Sequence, residues 1–458
     1  MCNFSVRLLL TACLFCLLPA QISQAATQQL TLDDCIQIAL ENNPQIEVAR
    51  QQYLANQGVL TQAKSFYWPQ LSGGVGYGRQ YIDTDRQNLD DQTGNQVFLD
   101  EDNVGSALLQ ASQLIFDFGK TTGLIDSSSF NLSASAENLA QTYHDLIFSV
   151  KSSFYSVLES KRLIGVAEQA VSNYEQQLYR AQRFYESGVR TKIDVTNAEV
   201  NLSNQKLNLL RANADFKTSL VSLETVIGTI PNNGDYEPVT SEPPLDELAS
   251  QKPEMSDSLD TLLQSAEDNR PGLKQFDFLI QAAEASVTQA KGDYWPTIDA
   301  VGDYNKFETD LPSISDNWQI TARLNWEFFS GFETEGKVAE ASAQLREVKA
   351  GLRDFQLEVT RDVTDSYLRA DENREGVDIA DQTVELAEEN LRLAEGRYKA
   401  GIGDLLEFND AQLLYTQNQS NLVVTYYNFL TALARIDRAV GVTPELVDYD
   451  MTVMPPEK

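Results

Sequence analysis

The chain has 458 residues, 42% of them hydrophobic, with 67 acidic residues against 35 basic ones and a net charge of −32. That length allows about three average domains or two large ones. So acidic a surface repels nucleic acid and anionic membranes, and after residue 25 no stretch reaches the about 18 consecutive apolar residues of a membrane-spanning helix.

Residues 1–25 read as a secretory signal. Arg7 precedes the apolar run Leu8 to Leu18, and "SQAA" at 23–26 ends in small residues suited to cleavage. "LTAC" at 10–13 mimics a lipoprotein box, but the apolar run continues past Cys13. Cleavage removes Arg7 and no acid, leaving 34 basic against 67 acidic residues, a net −33, with Cys35 as the remaining cysteine. A lone cysteine forms no internal disulfide. Cys35 occupies an apolar position of the amphipathic segment "LTLDDCIQIAL" and reads as a small buried residue.

The rest of the chain is a duplication. "QAKSFYWPQL" at 62–71 returns as "QAKGDYWPTI" at 289–298, a shift of 227, and Pro44 pairs with Pro271 at the same shift. "YESGVRTKIDVTNAE" at 185–199 returns as "YKAGIGDLLEFNDAQ" at 398–412, a shift of 213. The fall from 227 to 213 leaves 14 more residues in the first half, assigned to the polar loop 82–103. That loop carries Asp83, Asp85, Asp90, Asp91, Asp100, Glu101 and Asp102. The divisions are a first repeat 26–227, a Pro- and acid-rich connector 228–257, a second repeat 258–444 and a tail 445–458.

Each repeat reads helix, strand, loop, strand, long helix, turn, helix. Gly119–Gly188 and Gly331–Gly401 contain no proline. Their apolar positions recur every three or four residues, as a helix–helix seam requires. One stripe is Ile164, Ala167, Val171, Tyr174, Leu178, Ala181, Tyr185; the other is Val377, Ala380, Val384, Ala387, Leu391, Ala394, Tyr398. The return segments continue with Val195, Ala198, Leu202, Gln205, Leu209 and with Phe408, Ala411, Tyr415, Asn418, Leu422. Nearly 70 residues of helix span about 100 Å. Narrow seams on otherwise polar helices suit a hollow cylinder or a solid coiled-coil rod, and periodicity does not separate the two.

Strands are predicted at about 71–81, 104–118, 297–307 and 317–330. In "NWQITARLNWEFFSG", Trp318, Ile320, Ala322, Leu324, Trp326 and Phe328 alternate with polar residues, a period-two strand. Residues 318–328 have the length of a tilted bilayer crossing, and Trp318, Trp326 and Phe328 fit a lipid-facing aromatic girdle. Four strands cannot close a barrel, and unpaired backbone cannot face lipid. Copies of the chain must supply the rest. Three copies make twelve strands, an allowed even number; two make eight, whose interior fills with side chains. Trp68, Pro69, Trp295 and Pro296 mark the helix–strand junctions, where proline stops the helix and the aromatics lie at the membrane–water boundary.

Together, the duplication, "LTLDDCIQIALENNP", the paired Tyr-Trp-Pro joints and the two Tyr-x-x-Gly tips resemble the TolC-type outer-membrane efflux proteins over almost the whole mature chain. The resemblance implies a mixed α and β membrane protein in a Gram-negative outer membrane. It would be a homotrimer, with a long α-helical barrel continuous with a 12-stranded transmembrane β-barrel, four strands per chain. The implied partners are a periplasmic adaptor, an inner-membrane transporter and outer-membrane lipid, with tip segments 185–195 and 398–408 as the adaptor-docking surface. The implied function is the exit duct of a tripartite export system for drugs and other small molecules, with type I protein secretion as the alternative. A structural coiled-coil envelope protein is the alternative of another class. Glu407 and Asp410 match the family's acidic periplasmic gate, and their i, i+3 spacing puts both on one helix face. Asp194 and Tyr398 match its tip latch. The family's basic residue after the second tip is replaced by Gly403, while Arg190 appears in the first tip. No enzyme, cofactor or metal site is predicted: His144 is the one histidine, inside a helical pattern, and no catalytic triad, metal-ligand cluster or phosphate loop occurs.

Overall fold

The computed structural model describes residues 28–82, 100–230, 236–238, 243–255, 257–309 and 315–442. The signal segment 1–25, Asp83, Asp85, Asp90, Asp91 and the tail 445–458 lie outside the described residues. The described residues form two compact units: those within 28–43, 149–254 and 372–431 in the first, and those within 44–148, 255–371 and 432–442 in the second. Each draws on both repeats.

Helices α1 (Leu32–Asn42) and α2 (Pro44–Lys64) open the chain after the short strand β1 (Gln28–Leu30). Thr31 and Asp34 cap α1 reciprocally: the Thr31 amide donates to Asp34 Oδ2 at 2.9 Å and the Asp34 amide to Thr31 Oγ1 at 3.2 Å. Cys35 is buried in α1; burial, with the Asp34 charge second, pushes its thiol up to about 12, so it stays a packing residue. Helix α3 (Lys120–Glu186) and helix α4 (Lys192–Val226) follow the first strand pair, and strand β4 (Tyr236–Pro238) pairs in parallel with β1. The second repeat opens with α5 (Leu259–Asn269) and α6 (Pro271–Gly292) and closes with α7 (Glu333–Lys399) and α8 (Leu405–Val440). Both α3 and α7 have 67 residues, which at 1.5 Å per residue is about 100 Å.

The duplication is visible in a repeated joint. The residue before each helix-starting proline reaches back to the end of the returning helix. Asn43 Nδ2 donates to the Val226 carbonyl at 2.7 Å in the first unit, and Arg270 Nη1 to the Ala439 carbonyl at 3.4 Å in the second. A glycine ends each returning helix, Gly228 at φ +78 and Gly441 at φ +76. An added Cβ would come within 2.7 Å of the Asn42 backbone at Gly228 and 2.9 Å of Arg270 Cα at Gly441, so a larger residue would push the elbow open.

The second unit holds one four-stranded antiparallel sheet in the order β2 (Gln70–Ile82), β3 (Asp100–Phe116), β5 (Thr297–Thr309), β6 (Ser315–Asn325). Register puts Tyr304 opposite Trp318, Gly302 opposite Ile320 and Ile298 opposite Leu324, an apolar row on one face. Leu71, Val75, Tyr77, Trp318, Ile320 and Leu324 are all exposed. On the other face, Gln110 Nε2 and Gln319 Nε2 donate to the two carboxylate oxygens of Asp303 at 2.8 and 3.1 Å, joining three strands through polar groups. Among the described residues, strands β2 and β6 are edges with one hydrogen-bonded neighbour each.

Several strand limits differ from the sequence prediction, and three of the differences have a visible cause or consequence. Strand β6 ends at Asn325, not at 330, because its partner starts at Thr297 and the pair Thr297–Asn325 is the last. Trp326 and Phe328 therefore lie past the strand, both exposed, with Trp326 Nε1 donating to the Tyr294 carbonyl at 3.2 Å. Strand β3 stops at Phe116 after a bulge between Leu114 and Phe116; Asp117 leaves it to cap α3, accepting from the Thr121 amide at 2.7 Å. At the other end β3 begins at Asp100, so Asp100, Glu101 and Asp102 pair with Ile82, Tyr81 and Gln80 rather than standing in a loop.

The seam of α3 is also offset. Between residues 164 and 185, Val166, Ala170, Tyr174, Gln177 and Ala181 are the buried positions, so of the predicted stripe only Tyr174 and Ala181 are fully buried. Gln177 interrupts the apolar period. On α7 the predicted Val377, Ala387, Ala394 and Tyr398 are buried.

Candidate functional site

The two helix turns of the first unit carry most of the candidate residues. Both follow one local rule. The long helix ends on a glycine with positive φ, Gly188 at +75 and Gly401 at +72, a conformation that side-chain-bearing residues resist. The chain then folds back so that the Val189 amide donates to the Phe184 carbonyl at 2.9 Å and the Ile402 amide to the Arg397 carbonyl at 3.0 Å. A polar cap starts the returning helix. Thr191 does so in the first turn. In the second, Asp404 Oδ1 accepts from the Glu407 amide at 2.7 Å.

Tyr398 is the centre of the packing between the turns. It is 2% exposed, stacks on Phe408 with ring centroids 5.6 Å apart, and meets Phe184 edge-on at 5.9 Å. Leu405, Ala394 and Ala411 complete this cluster. Arg190 reaches across from the first turn. Its Nη2 donates to the Gly403 carbonyl at 3.0 Å, and its guanidinium carbon lies 5.3 Å from the Tyr398 ring centroid. Gly403 itself is packed tight: a Cβ there would lie 3.1 Å from Arg397 Cβ and 3.2 Å from the Tyr398 amide nitrogen. A side chain at 403 would require these neighbours to give by a few tenths of an ångström, and here the positive charge reaches Gly403 from the facing turn through Arg190.

Asp194 and Tyr398 are near one another without a hydrogen bond between them. Asp194 Oδ2 accepts from the Thr191 amide at 3.2 Å and the Thr191 hydroxyl at 3.3 Å, within its own turn. The Tyr398 hydroxyl is buried and has no hydrogen-bond partner among the described residues. Burial pushes its phenol up; the Asp194 charge adds to this, and Arg190 and Arg180 oppose it.

Glu407 and Asp410 are both exposed and flank the buried Phe408 and Ala411, so their carboxylates leave the packed face together. Glu407 is paired, its Oε1 2.9 Å from Arg397 Nε. Behind them is a buried polar layer that apolar periodicity does not detect. Gln177 Nε2 donates to Asn409 Oδ1, and Gln412 lies one helical turn further on. Gln177 Oε1 and Gln412 Nε2 lack partners. The available signal was a glutamine between Tyr174 and Ala181, at seam spacing. Tyr174 is buried beside this layer; burial raises its phenol pKa, with the Asp410 charge second.

The membrane candidates belong to the second unit. Trp318 is exposed on the apolar face of β6. Trp68 is exposed directly before Pro69 and β2, and its amide donates to the Ser65 carbonyl at 3.0 Å. The second joint repeats this, with the Trp295 amide donating to the Gly292 carbonyl at 3.0 Å before Pro296 and β5. Trp295 stacks on Phe118 at 5.3 Å, and Phe118 meets Phe116 at 4.7 Å. Asp293 gathers the starts of both long helices, accepting Lys120 Nζ at 2.6 Å and Lys337 Nζ at 3.3 Å.

Comparison with known proteins places this geometry. The chain is 20% identical over 424 residues to the outer membrane efflux protein BepC of Brucella suis, covering 90% of this chain and 87% of that one. It is 22% identical over 430 residues to the alkaline protease secretion protein AprF of Pseudomonas aeruginosa, covering 91% and 85%. Among solved structures, the outer membrane protein VceC of Vibrio cholerae shares the fold with a TM-score of 0.76 at 18% identity, covering 90% of this chain and 96% of that one. The family model described as outer membrane efflux protein matches residues 35–229 and again 262–442, once in each repeat. With this fold and both matches, the chain belongs to the outer membrane efflux protein family, as an outer-membrane channel component and not an enzyme.

Proposed function

We propose that the chain is the exit duct of a tripartite export system for small molecules, assembled as a homotrimer and served by a periplasmic adaptor and an inner-membrane transporter. The observation that carries this reading is the four-stranded sheet, with an exposed apolar face and two open edges. Open edges are not tolerated in hydrocarbon. Three copies close twelve strands around a passage, whereas two would close eight around a filled interior. The turns at 185–195 and 398–408 are the proposed adaptor-docking surface, with exposed Val189, Ile193, Ile402 and Leu406 available to a partner. Glu407 and Asp410, repeated by threefold symmetry, form the proposed acidic ring at the periplasmic mouth, and Arg190 with Tyr398 holds the two turns of one chain together behind it.

The efflux name of BepC supports small-molecule export; the similarity to AprF keeps type I protein secretion as a second reading. Deletion in the native host separates them. Under the first reading the deletion strain becomes at least fourfold more sensitive to apolar antibiotics, and a plasmid copy restores resistance. Unchanged sensitivity with loss of one secreted protein from the medium overturns small-molecule export in favour of secretion.

A further inference from the structure

A group of arginines in the second unit has no part in the export reading. Arg270 sits where α6 begins and is 5% exposed. Its guanidinium contacts Asp362 Oδ2 at 3.2 Å and lies 5.4 Å from the Phe355 ring centroid, but its buried Nε has no partner. A buried N–H without an acceptor forfeits its hydration with nothing in return, so such a donor calls for an occupant. Beside it is a cavity of about 200 Å³ lined by Arg270, Asp362, Asp365, Ser366, Arg435 and Arg438.

The charges around this cavity are unevenly spent. Asp362 is shared between Arg270 and Arg361, the latter at 3.1 Å. Asp365 holds Arg369 Nε at 2.8 Å. Arg438 Nε holds Asp145 Oδ1 at 2.5 Å. Arg435 makes no hydrogen bond or ion pair among the described residues: its guanidinium carbon lies 5.9 Å from the Phe148 ring centroid, and its charge acts at longer range on the Asp365 carboxylate. The cavity wall thus carries three guanidinium groups, of Arg270, Arg435 and Arg438, against the two carboxylates of Asp362 and Asp365, in a chain where acids outnumber bases almost two to one. Ser366, 2% exposed, adds a hydroxyl to the wall. The cavity is smaller than the about 300–1,000 Å³ of drug-sized sites, so it is unsuited to an export substrate of that kind.

We infer that this cavity binds one compact, free phosphate-type anion. Its oxygens accept from the forked donors of Arg435 and the free Nε–H of Arg270, with Ser366 as a further donor. Planar guanidinium groups match tetrahedral oxyanions through paired N–H donors, and the two lining carboxylates are already neutralised by arginines. A bound anion would tie the start of α6 to the middle of α7 and the end of α8, which already share one apolar cluster.

The test is thermal unfolding of the purified full-length protein in detergent, in millimolar sodium phosphate and in sodium chloride of equal ionic strength. Phosphate also stabilises proteins in general by exclusion from their surfaces, so the readout is the difference between wild type and Arg435→Gln. Arg435 is exposed, and its replacement leaves the core intact. The expected result is a phosphate-specific rise of about 2–4 °C in wild type that Arg435→Gln abolishes. Arg270→Gln should abolish it too, on a lower starting midpoint. Equal phosphate responses in wild type and Arg435→Gln overturn the inference, as a cavity holding only water would give that result. Sodium acetate matching phosphate in wild type overturns the assignment to the phosphate class.

Discussion

At the proposed tip latch, Arg190 of the first turn meets Tyr398 of the second. A latch through the tyrosine hydroxyl needs an acceptor, and the hydroxyl of this chain has none. Its ring packs between Phe408, Phe184 and Arg190, and in the proposed latch it is the ring that would do the holding. A cation–π contact and one charged hydrogen bond together contribute about 2–4 kcal/mol, enough to move a closed-to-open ratio by at least about 30-fold. Planar-bilayer recordings of tip variants are the check. Arg190→Ala should raise mean conductance, and Tyr398→Phe should leave it unchanged or slightly lower, because removing an unpartnered buried hydroxyl costs nothing. Loosening by Tyr398→Phe would show that the hydroxyl does hold the closed state. In the same recordings, converting Glu407 and Asp410 to Asn should reduce cation selectivity, seen as a smaller reversal potential under a salt gradient. An unchanged potential would remove both carboxylates from the mouth.

At the scale of elements, strand β6 shows how far alternation reaches. Its period-two pattern runs on to Phe328, but hydrogen bonding stops at Asn325 because β5 has no residue left to pair. Trp318 remains in the ladder, opposite Tyr304 on the apolar face, and Trp326 is tied by its indole N–H to the Tyr294 carbonyl. In membranes of brominated lipid, Trp318→Phe should remove a quenched part of the tryptophan emission. Identical quenching in wild type and variant would take Trp318 out of the lipid. The α3 seam teaches the same lesson for helices. Its apolar residues are locally periodic, but the true contact line passes through Gln177, whose partner Asn409 lies 232 residues away. No local pattern reports such a partner.

At the scale of the molecule, the edges β2 and β6 set the assembly. Each is a row of backbone groups with one neighbour, and the exposed apolar face between them requires lipid. The detergent-solubilised protein should therefore sediment with a protein mass of three chains. A stable monomer in the absence of detergent would sink both the barrel and the duct.

The sequence by itself determined the duplication, the sites of helix and strand, the proline-marked joints and the glycine turns. These are properties of neighbours in the chain: a period of two or three and a half, a missing amide hydrogen, a permitted positive φ. Only the tertiary structure decided where β6 ends, which face of α3 is the seam, and that Arg190 meets Gly403 while Asp194 stays with Thr191. Those outcomes depend on which distant segments come into register, and a side chain's partner is chosen by packing across hundreds of residues, not by its own neighbourhood.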